Sequence, residues 1–165
     1  MPLDPILVLT TGGTIDKQYF DALSEYQISD SVMAGLLKVA RVRHPFEVVE
    51  LMRKDSLELT DDDRATIRER VTSATARRIV ITHGTDTMTD TARALADVPG
   101  KTIALVGALA PARFAESDAT FNLGMAFACV QAAAPGVYIT MNGTVFPALD
   151  VVKDRAAAAF VPVGR

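Results

Sequence analysis

Two hydroxyl-rich stretches of the chain hold the residue types that could do chemistry. The first ends in Gly12, Gly13 and Thr14, shortly after an apolar run at residues 6–9. A short apolar run followed by paired glycines is typical of a buried strand whose next turn lets backbone N–H groups face a ligand. A threonine hydroxyl is a competent nucleophile only when a neighbouring group accepts its proton. Thr14 is therefore a candidate nucleophile that needs partners, and a plain strand-to-loop turn is the alternative interpretation.

The second stretch supplies such partners. Thr85 and Asp86 follow the apolar run at residues 79–81. Asp86 has two open interpretations, because it could belong to a binding site or simply cap the helix that is predicted from Thr87 onward. In an open α/β sheet the ligand crevice lies beyond the carboxyl ends of the parallel strands. If both apolar runs are such strands, the two polar stretches face each other.

The elements that must position these residues alternate between strands and helices. Strands are predicted at residues 6–9, 46–51, 79–81, 101–106 and 137–141, and helices at residues 32–42, 60–75, 87–95 and 118–133. This βαβαβαβαβ order predicts an α/β fold, in which a mostly parallel sheet carries helices on both faces to give three layers.

Local signals refine the two helices that come first. The first helix has candidate caps at residues 29–31 and an apolar stripe made of Val32, Leu36, Val39 and Ala40. The second begins with a capping box from Thr60 to Asp63 and is expected to bury Ile67 and Val71.

Two further segments fall outside the alternation. The polar stretch at residues 16–28 has no steady period and is predicted to be a long binding loop. Near the C-terminus, residues 144–146 and 151–153 flank a turn at 147–149, which predicts a hairpin-like appendage. The tail at residues 156–165 shows no clear element.

Composition limits the classes of function. The chain has 165 residues, of which 49% are apolar and 22% charged, so one domain with its own core is expected. A net charge of −3 gives no broad basic field for nucleic acid or a membrane surface. Cys129 is the only cysteine, so an intrachain disulfide is impossible, and its apolar neighbours predict a buried, inert thiol. With no targeting or membrane-spanning pattern, a cytoplasmic protein is expected.

No metal is predicted. His83 is interpreted as a structural residue because His44, the other histidine, lies before the second predicted strand. A set of residues rich in acids and poor in histidine is not a typical zinc site.

Several motifs together resemble the bacterial L-asparaginase family. They are Thr-Gly-Gly-Thr-Ile at 11–15, His-Gly-Thr-Asp-Thr at 83–87, Val-Gly-Ala at 106–108, Asp118 with Phe121-Asn122-Leu123, and Lys153 after Asn142-Gly143-Thr144-Val145. The resemblance covers nearly the whole chain as a single N-terminal-type domain, residues 1–165, without the family's smaller C-terminal domain. It implies a Rossmann-like or flavodoxin-like fold, hydrolysis of L-asparagine to L-aspartate and ammonia, no cofactor, and a homodimer or homotetramer.

The resemblance also assigns roles to residues. It implies that Thr14 is the nucleophile, that Thr85 and Asp86 assist it, and that Lys153 is catalytic, as a base or as an electrostatic clamp. Tyr19 is preferred to Tyr26 as the tyrosine that helps Thr14. The implied substrate-binding residues are Gly13, Asp55, Ser56, Gly84, Thr85, Asp86 and Ala108. The chain departs from the family at Leu57, where the residue after the binding serine is normally polar.

Three rival functions share parts of these features. The same domain supplies ammonia in the amidase component of a tRNA-dependent amidotransferase, although such chains normally carry extra domains. A catalytically silent aspartate- or asparagine-binding module is a second rival, but it has no need for two hydroxyls and a lysine. A nucleotide-binding role is weaker, because Gly12-Gly13 lacks the G-x-G-x-x-G spacing.

Overall fold

The computed structural model of the chain describes residues 2–16 and 32–164. In that part of the chain the strands are β1 (Ile6–Gly12), β2 (Phe46–Lys54), β3 (Arg78–Thr82), β4 (Thr102–Val106), β5 (Gly136–Met141), β6 (Thr144–Pro147), β7 (Val151–Asp154) and β8 (Ala159–Pro162). The α-helices are α1 (Val32–Val39), α2 (Asp61–Ser73), α3 (Met88–Leu95) and α4 (Ala119–Ala132). Short 3-10 helices occupy Thr14–Asp16 and Ser56–Glu58. None of the described helices has the length and apolar character needed to cross a membrane.

Six of these strands form one sheet in the order β2-β1-β3-β4-β5-β6. The first five are parallel, and β6 runs antiparallel to β5. In the register, Thr10 lies opposite Thr82, and Thr82 lies opposite Val106. The predicted α/β class and the predicted alternation of elements are therefore confirmed. The register also aligns the carboxyl ends of β1, β3 and β4 at one edge.

Helices cover both faces of this sheet. Leu7 and Leu9 pack on one face with residues of α2 and α3, which form the first core cluster. Ile6 and Val8 pack on the other face with residues of α1 and α4, which form the second core cluster. This alternation follows from the period of two in a strand and explains why the strands are apolar almost throughout. Cys129 lies in the second cluster, where burial raises the pKa of its thiol to about 11, in agreement with the predicted inert thiol.

Helix α2 begins as predicted. The Thr60 hydroxyl accepts a hydrogen bond from the Asp63 backbone N–H, and the Asp63 carboxylate accepts one from the Thr60 backbone N–H, which completes the capping box. The ammonium of Lys54 also donates to the Asp63 carboxylate, at 2.8 and 2.9 Å. This bond, followed by the backbone bond from Thr60, lowers the pKa of Asp63 to about 2. Ile67 and Val71 are buried, as expected.

The predicted apolar stripe of α1 is only half right, because Val32 and Leu36 pack against the core while Val39 and Ala40 are exposed. The helix buries Met33 and Leu37, and Val39 is 83% exposed and ends the helix three residues earlier than predicted. Apolar residues occupy almost every position of Val32–Val39, so their spacing does not select one face of the helix. The predicted caps at residues 29–31, and most of the predicted loop at 16–28, lie outside the described residues.

The C-terminal hairpin is present but its predicted strand pairing is wrong. β6 pairs with β5, and β7 pairs with β8, which lies in the tail that showed no clear element. The reason is the Asn142-Gly143 dipeptide between β5 and β6, where both residues have positive φ, at 51° and 67°. Such a pair favours a tight hairpin turn, so it directs residues 144–147 back onto β5.

Burial of Phe160 holds the β7–β8 hairpin on the domain. Phe160 lies in the first core cluster with Val151, and its backbone N–H donates to Asn142 Oδ1 at 2.8 Å. Because a buried phenylalanine leaves a large cavity, we expect Phe160→Ala to lower the free energy of unfolding by about 3 kcal/mol. The control Val163→Ala removes methyl groups from an exposed side chain and should change it by less than about 0.5 kcal/mol. Equal effects of the two variants in urea unfolding would contradict the packing of this hairpin.

Candidate active site

The turn that carries Thr14 packs directly on the turn after β3. Gly12 and Gly13 have φ values of 105° and 86°, which side chains rarely tolerate. A Cβ atom on Gly13 would lie 2.4 Å from the Gly84 nitrogen, so the two backbones meet with no side chain between them. The N–H of Gly13 donates to the Lys54 carbonyl at 3.0 Å, so this N–H is already hydrogen-bonded within the protein. Thr14 begins the following 3-10 helix and is partly exposed.

A third turn reaches the same point from the end of β2. Asp55 caps the 3-10 helix Ser56–Glu58, its carboxylate accepting from the Leu57 N–H at 3.0 Å. Ser56 is buried, and a Cβ atom on Gly84 would lie 2.6 Å from the Ser56 Cβ. Gly84 is therefore the point at which the turns after β1, β2 and β3 meet.

Lys153 enters this edge of the sheet from β7. Its Nζ donates to Thr85 Oγ1 and to Asp86 Oδ1, both at 2.8 Å. The Lys153 side chain is 16% exposed and that of Asp86 33%, so this ion pair is partly shielded from water. Arg155 brings a second cation to within 3.9 Å of the same Asp86 oxygen. Because the Thr85 hydroxyl accepts a hydrogen bond from Lys153, its own hydrogen points elsewhere and can be donated to another group.

His83 lies beneath the site as a neutral structural residue. Its Nδ1 lies 2.6 Å from the Gly84 carbonyl, which can only accept, so Nδ1 carries the proton and donates. Nε2 then accepts from the Thr91 hydroxyl at 2.7 Å. Burial lowers the pKa of His83 to about 4, against the opposing effect of the Gly84 carbonyl. This agrees with the structural interpretation of His83. The N-cap position of α3 is occupied by Thr87 and not by Asp86, so Asp86 does not cap the helix.

The turn after β4 closes the other side of Thr85. A Cβ atom on Gly107 would lie 2.6 Å from the His83 carbonyl and 3.1 Å from the Thr85 methyl group. The Asp118 carboxylate, at the start of α4, accepts from the N–H groups of the residues that follow this turn, Leu109 and Ala110. The Asn122 amide donates to both the Gly107 carbonyl and the Asp118 carboxylate. Asp118 thus organises this turn instead of capping its own helix.

Asp16 is the site neighbour that sequence reasoning missed. The Thr82 hydroxyl donates to Asp16 Oδ2 at 3.4 Å, and the Thr11 hydroxyl donates to the Thr82 carbonyl at 2.7 Å. The pKa of Asp16 is raised to about 6, chiefly by burial and to a smaller extent by Glu50, against the opposing effects of the Thr82 bond and Arg53. Only the register of β1 and β3 brings these polar residues together, so no local sequence signal pointed to Asp16.

Most of the predicted site residues lie near Gly84. Gly13 and Ser56 approach it directly, Thr14 follows Gly13 in the chain, and Thr85 and Asp86, which follow Gly84, bind Lys153. Asp55 bonds within its own turn, and Ala108 is buried in the second core cluster. Tyr19 and Tyr26 lie outside the described residues. Among the residues that the structure describes, no three His, Cys, Asp or Glu side chains are grouped so that they could hold a metal ion.

The half-buried Asp16 carboxyl makes stability depend on pH with a defined sign. Its folded-state pKa lies above the unfolded value of about 4, so its protonated form favours folding below that pH, and the benefit is lost as pH rises through 6. Asp16→Asn mimics the protonated form. We expect the variant and the parent to have similar free energies of unfolding at pH 4, and the variant to be more stable by about 3 kcal/mol at pH 7.5.

Urea unfolding of both chains across this range checks the expectation. The contribution of His83 has the opposite sign, because its lowered pKa removes stability as pH falls from about 6.5 towards 4. It is common to both chains and cancels in their difference. A difference that stays constant with pH would contradict the assignment to Asp16.

Comparison with known proteins agrees with this arrangement. The family model described as asparaginase, N-terminal, matches residues 5–161. A glutaminase-asparaginase from Acinetobacter glutaminasificans is 30% identical over 162 residues, which cover 90% of this chain and 49% of the relative. A glutamyl-tRNA(Gln) amidotransferase component from Pyrobaculum aerophilum is 38% identical over 149 residues, which cover 80% of this chain and 33% of the relative.

A solved structure gives the same result for the fold. The thermostable L-asparaginase from Thermococcus kodakarensis superposes with a TM-score of 0.82 and 27% identity, covering 98% of this chain and 52% of that one. The chain spans about half the length, or less, of these relatives. Because the family model covers residues 5–161 and the fold is the same, the chain belongs to the asparaginase family and corresponds to its N-terminal domain.

Proposed function

We propose that the chain hydrolyses the side-chain amide of L-asparagine to L-aspartate and ammonia through a covalent intermediate on Thr14. The observation that carries the proposal is Lys153, whose ammonium donates to Thr85 and Asp86 beside the glycine turn of Thr14. A nucleophile candidate, a polarised hydroxyl and an ion pair at one sheet edge are what acyl transfer requires. The names of two of the relatives above include asparaginase, which supports the same substrate.

The proposed reaction has two steps. In the first, Thr14 Oγ1 bonds to the amide carbon, the hydroxyl proton is delivered to the amide nitrogen, and the carbon–nitrogen bond breaks to release ammonia. In the second, water adds to the carbonyl carbon of the aspartyl ester, the bond to Thr14 breaks, and the threonine oxygen regains a proton. Tyr19 is proposed as the proton carrier in both steps.

The remaining residues are proposed to stabilise charge. The Thr85 hydroxyl, held by the ammonium of Lys153, is placed to donate to the oxygen that becomes negative in the tetrahedral intermediate. The pairing of Lys153 with Asp86 favours its role as an electrostatic clamp over that of a base. Asp86 is assigned the substrate ammonium. Ser56 and Gly84 are assigned the other polar groups at that end of the substrate.

A second candidate is the ammonia-supplying part of a tRNA-dependent amidotransferase, which the Pyrobaculum aerophilum relative favours by its name. The two functions differ in what they require. An amidohydrolase releases ammonia from free asparagine by itself, whereas an amidotransferase component depends on an aminoacyl-tRNA and its partner subunits. For either function we propose the cytoplasm as the compartment, since the single, buried Cys129 needs no oxidising environment.

The Thr14 assignment is tested by kinetics and by trapping. We expect Thr14→Ala to lower ammonia release by at least about 10³-fold, because the covalent route is lost, while aspartate still binds. Asp86→Ala should weaken aspartate binding as well as the rate, because the ammonium partner is lost. Mass spectrometry of acid-quenched enzyme mixed with asparagine should show an aspartyl adduct on Thr14.

Thr66→Ala is a matched control on the exposed surface of α2, and it should behave as the parent. An adduct on Thr85 would reverse the roles of the two threonines. Full activity of Thr14→Ala would remove the mechanism. Aspartate binding without any ammonia release by the parent chain would favour the silent binding module.

We also propose that the chain is a homodimer or homotetramer. Phe121 on α4 is 65% exposed and lies over the turn that leads into β6, with Val145 of this edge strand also exposed. Burial of this apolar surface against a second copy would remove it from water. In light scattering at micromolar concentration we expect an oligomer for the parent, a smaller mass for Phe121→Glu, and the parent mass for the control Leu3→Glu. A fully active monomer would refute the proposal.

A further inference from the structure

Thr87 has the residue type of a helix cap but not the bonding of one. It is the N-cap residue of α3, where threonine is favoured because its oxygen accepts from an N–H of the first turn. Here the Thr87 side chain makes no capping bond. Its hydroxyl donates instead to the Ser56 carbonyl at 2.7 Å, across 31 residues of chain. The Thr87 hydroxyl therefore bonds to the Ser56 turn and not to the first turn of its own helix.

The Thr87 bond connects the Ser56 turn directly to the turn after β3. Other hydrogen bonds run within the Ser56 turn, from the N–H groups of Leu57 and Glu58 to Asp55 and from the Leu59 N–H to Ser56. The pairing of β2 with β1 holds the start of the turn, but it does not link Ser56 itself to the turn after β3. Gly84 permits the close approach of Ser56 because it has no Cβ. This absence makes room for Ser56 but does not attract it. The Thr87 hydroxyl supplies the directional attraction.

We propose that Thr87 is a positioning residue that sets the distance between Ser56 and the Thr85–Asp86 pair. The inference rests on the proposed function, in which Ser56 and Asp86 hold one end of the substrate while Thr14 and Thr85 act on its amide. Thr87 touches no reacting atom. It joins Ser56, at one end of the substrate, to the turn that carries Thr85, at the other end, because it follows Thr85 and Asp86 in the chain and binds Ser56 through space. A bound substrate therefore meets Ser56 and Thr85 at a fixed separation.

This fixed separation also sets the length of side chain that the site accepts. Glutamine is one methylene longer than asparagine, so a site that grips both ends distinguishes them by the distance between the grips. Loss of the Thr87 bond frees the Ser56 turn to shift. The expected consequence is weaker substrate binding and a smaller ratio of asparagine to glutamine in kcat/KM, with less effect on kcat.

The test compares Thr87→Val with Thr87→Ser. Valine keeps the shape and removes the hydroxyl, and serine keeps the hydroxyl. We expect valine to raise KM for asparagine about tenfold with less than about a twofold change in kcat, and serine to restore the parent values. Thr87→Ala removes the hydroxyl without β-branching and should match valine. Thr89→Val, two residues along α3, is the control for placing valine in this helix and should match the parent.

Amide hydrogen exchange over residues 55–59 gives a readout that needs no turnover. Exchange should accelerate in the valine and alanine variants and remain at the parent rate in the serine variant. An unchanged KM together with unchanged exchange in Thr87→Val would overturn the inference, as would a KM that rises equally in all Thr87 variants. If the parent chain releases no ammonia, the proposed function fails, and the exchange comparison still decides whether Thr87 holds the turn.

Discussion

The backbone contact between Gly13 and Gly84 is the constraint on which the rest of the site depends. Adjacent strands lie about 4.8 Å apart, so the turns that follow them can remain in contact only when no side chain separates them. The register places Thr10 beside Thr82, so the turns that follow these two strands are also neighbours. Thr14 and Thr85 each follow one of the two glycines directly, so this backbone contact also brings their positions in the chain close together. Glycine loses more conformational freedom on folding than other residues, and the packed core strands behind the turns offset that loss.

Charge is distributed in two levels around this contact. Beneath the turns, burial lowers the pKa of His83 and raises that of Asp16, so both side chains are pushed towards their neutral forms. Above the turns, Lys153 and Asp86 form a partly shielded ion pair. A charge is costly where water is excluded unless a partner of opposite charge compensates it. His83 and Asp16 avoid this cost by favouring their neutral forms, and Lys153 and Asp86 reduce it by pairing.

Much of the fold could be predicted from the sequence, because the alternation of apolar runs and helical patterns is a local property. The capping box of α2 is equally local, since it lies within four residues. The face of α1 could not be predicted, because too many of its residues are apolar to define a stripe. The pairing of β6 follows from Asn142-Gly143, a hairpin signal that is present in the sequence and outweighs the turn at residues 147–149.

The site was less accessible to such reasoning. The two hydroxyl-rich turns are located by the apolar runs that precede them, but only the family resemblance associates Lys153 with Thr85 in the sequence. Nothing local links two residues that are 68 positions apart. Asp16 and Thr87 were missed for a related reason. Asp16 becomes shielded from water only when the chain is folded, so the sequence around it gives no sign of its raised pKa. Thr87 has the residue type of an ordinary helix cap, and its bond to Ser56 is visible only in the structure.

The origin of Lys153 on the small β7–β8 sheet has a consequence for the order in which the molecule matures. During synthesis the six strands of the main sheet leave the ribosome before the hairpin that carries Lys153 and Phe160, and a chain at that stage holds both hydroxyl-rich turns without their ammonium. Contacts between distant parts of a chain form late, because closing a long loop costs entropy before any contact repays it. The hydrogen bonds of Lys153 to Thr85 and Asp86 are thus among the last contacts that this domain forms.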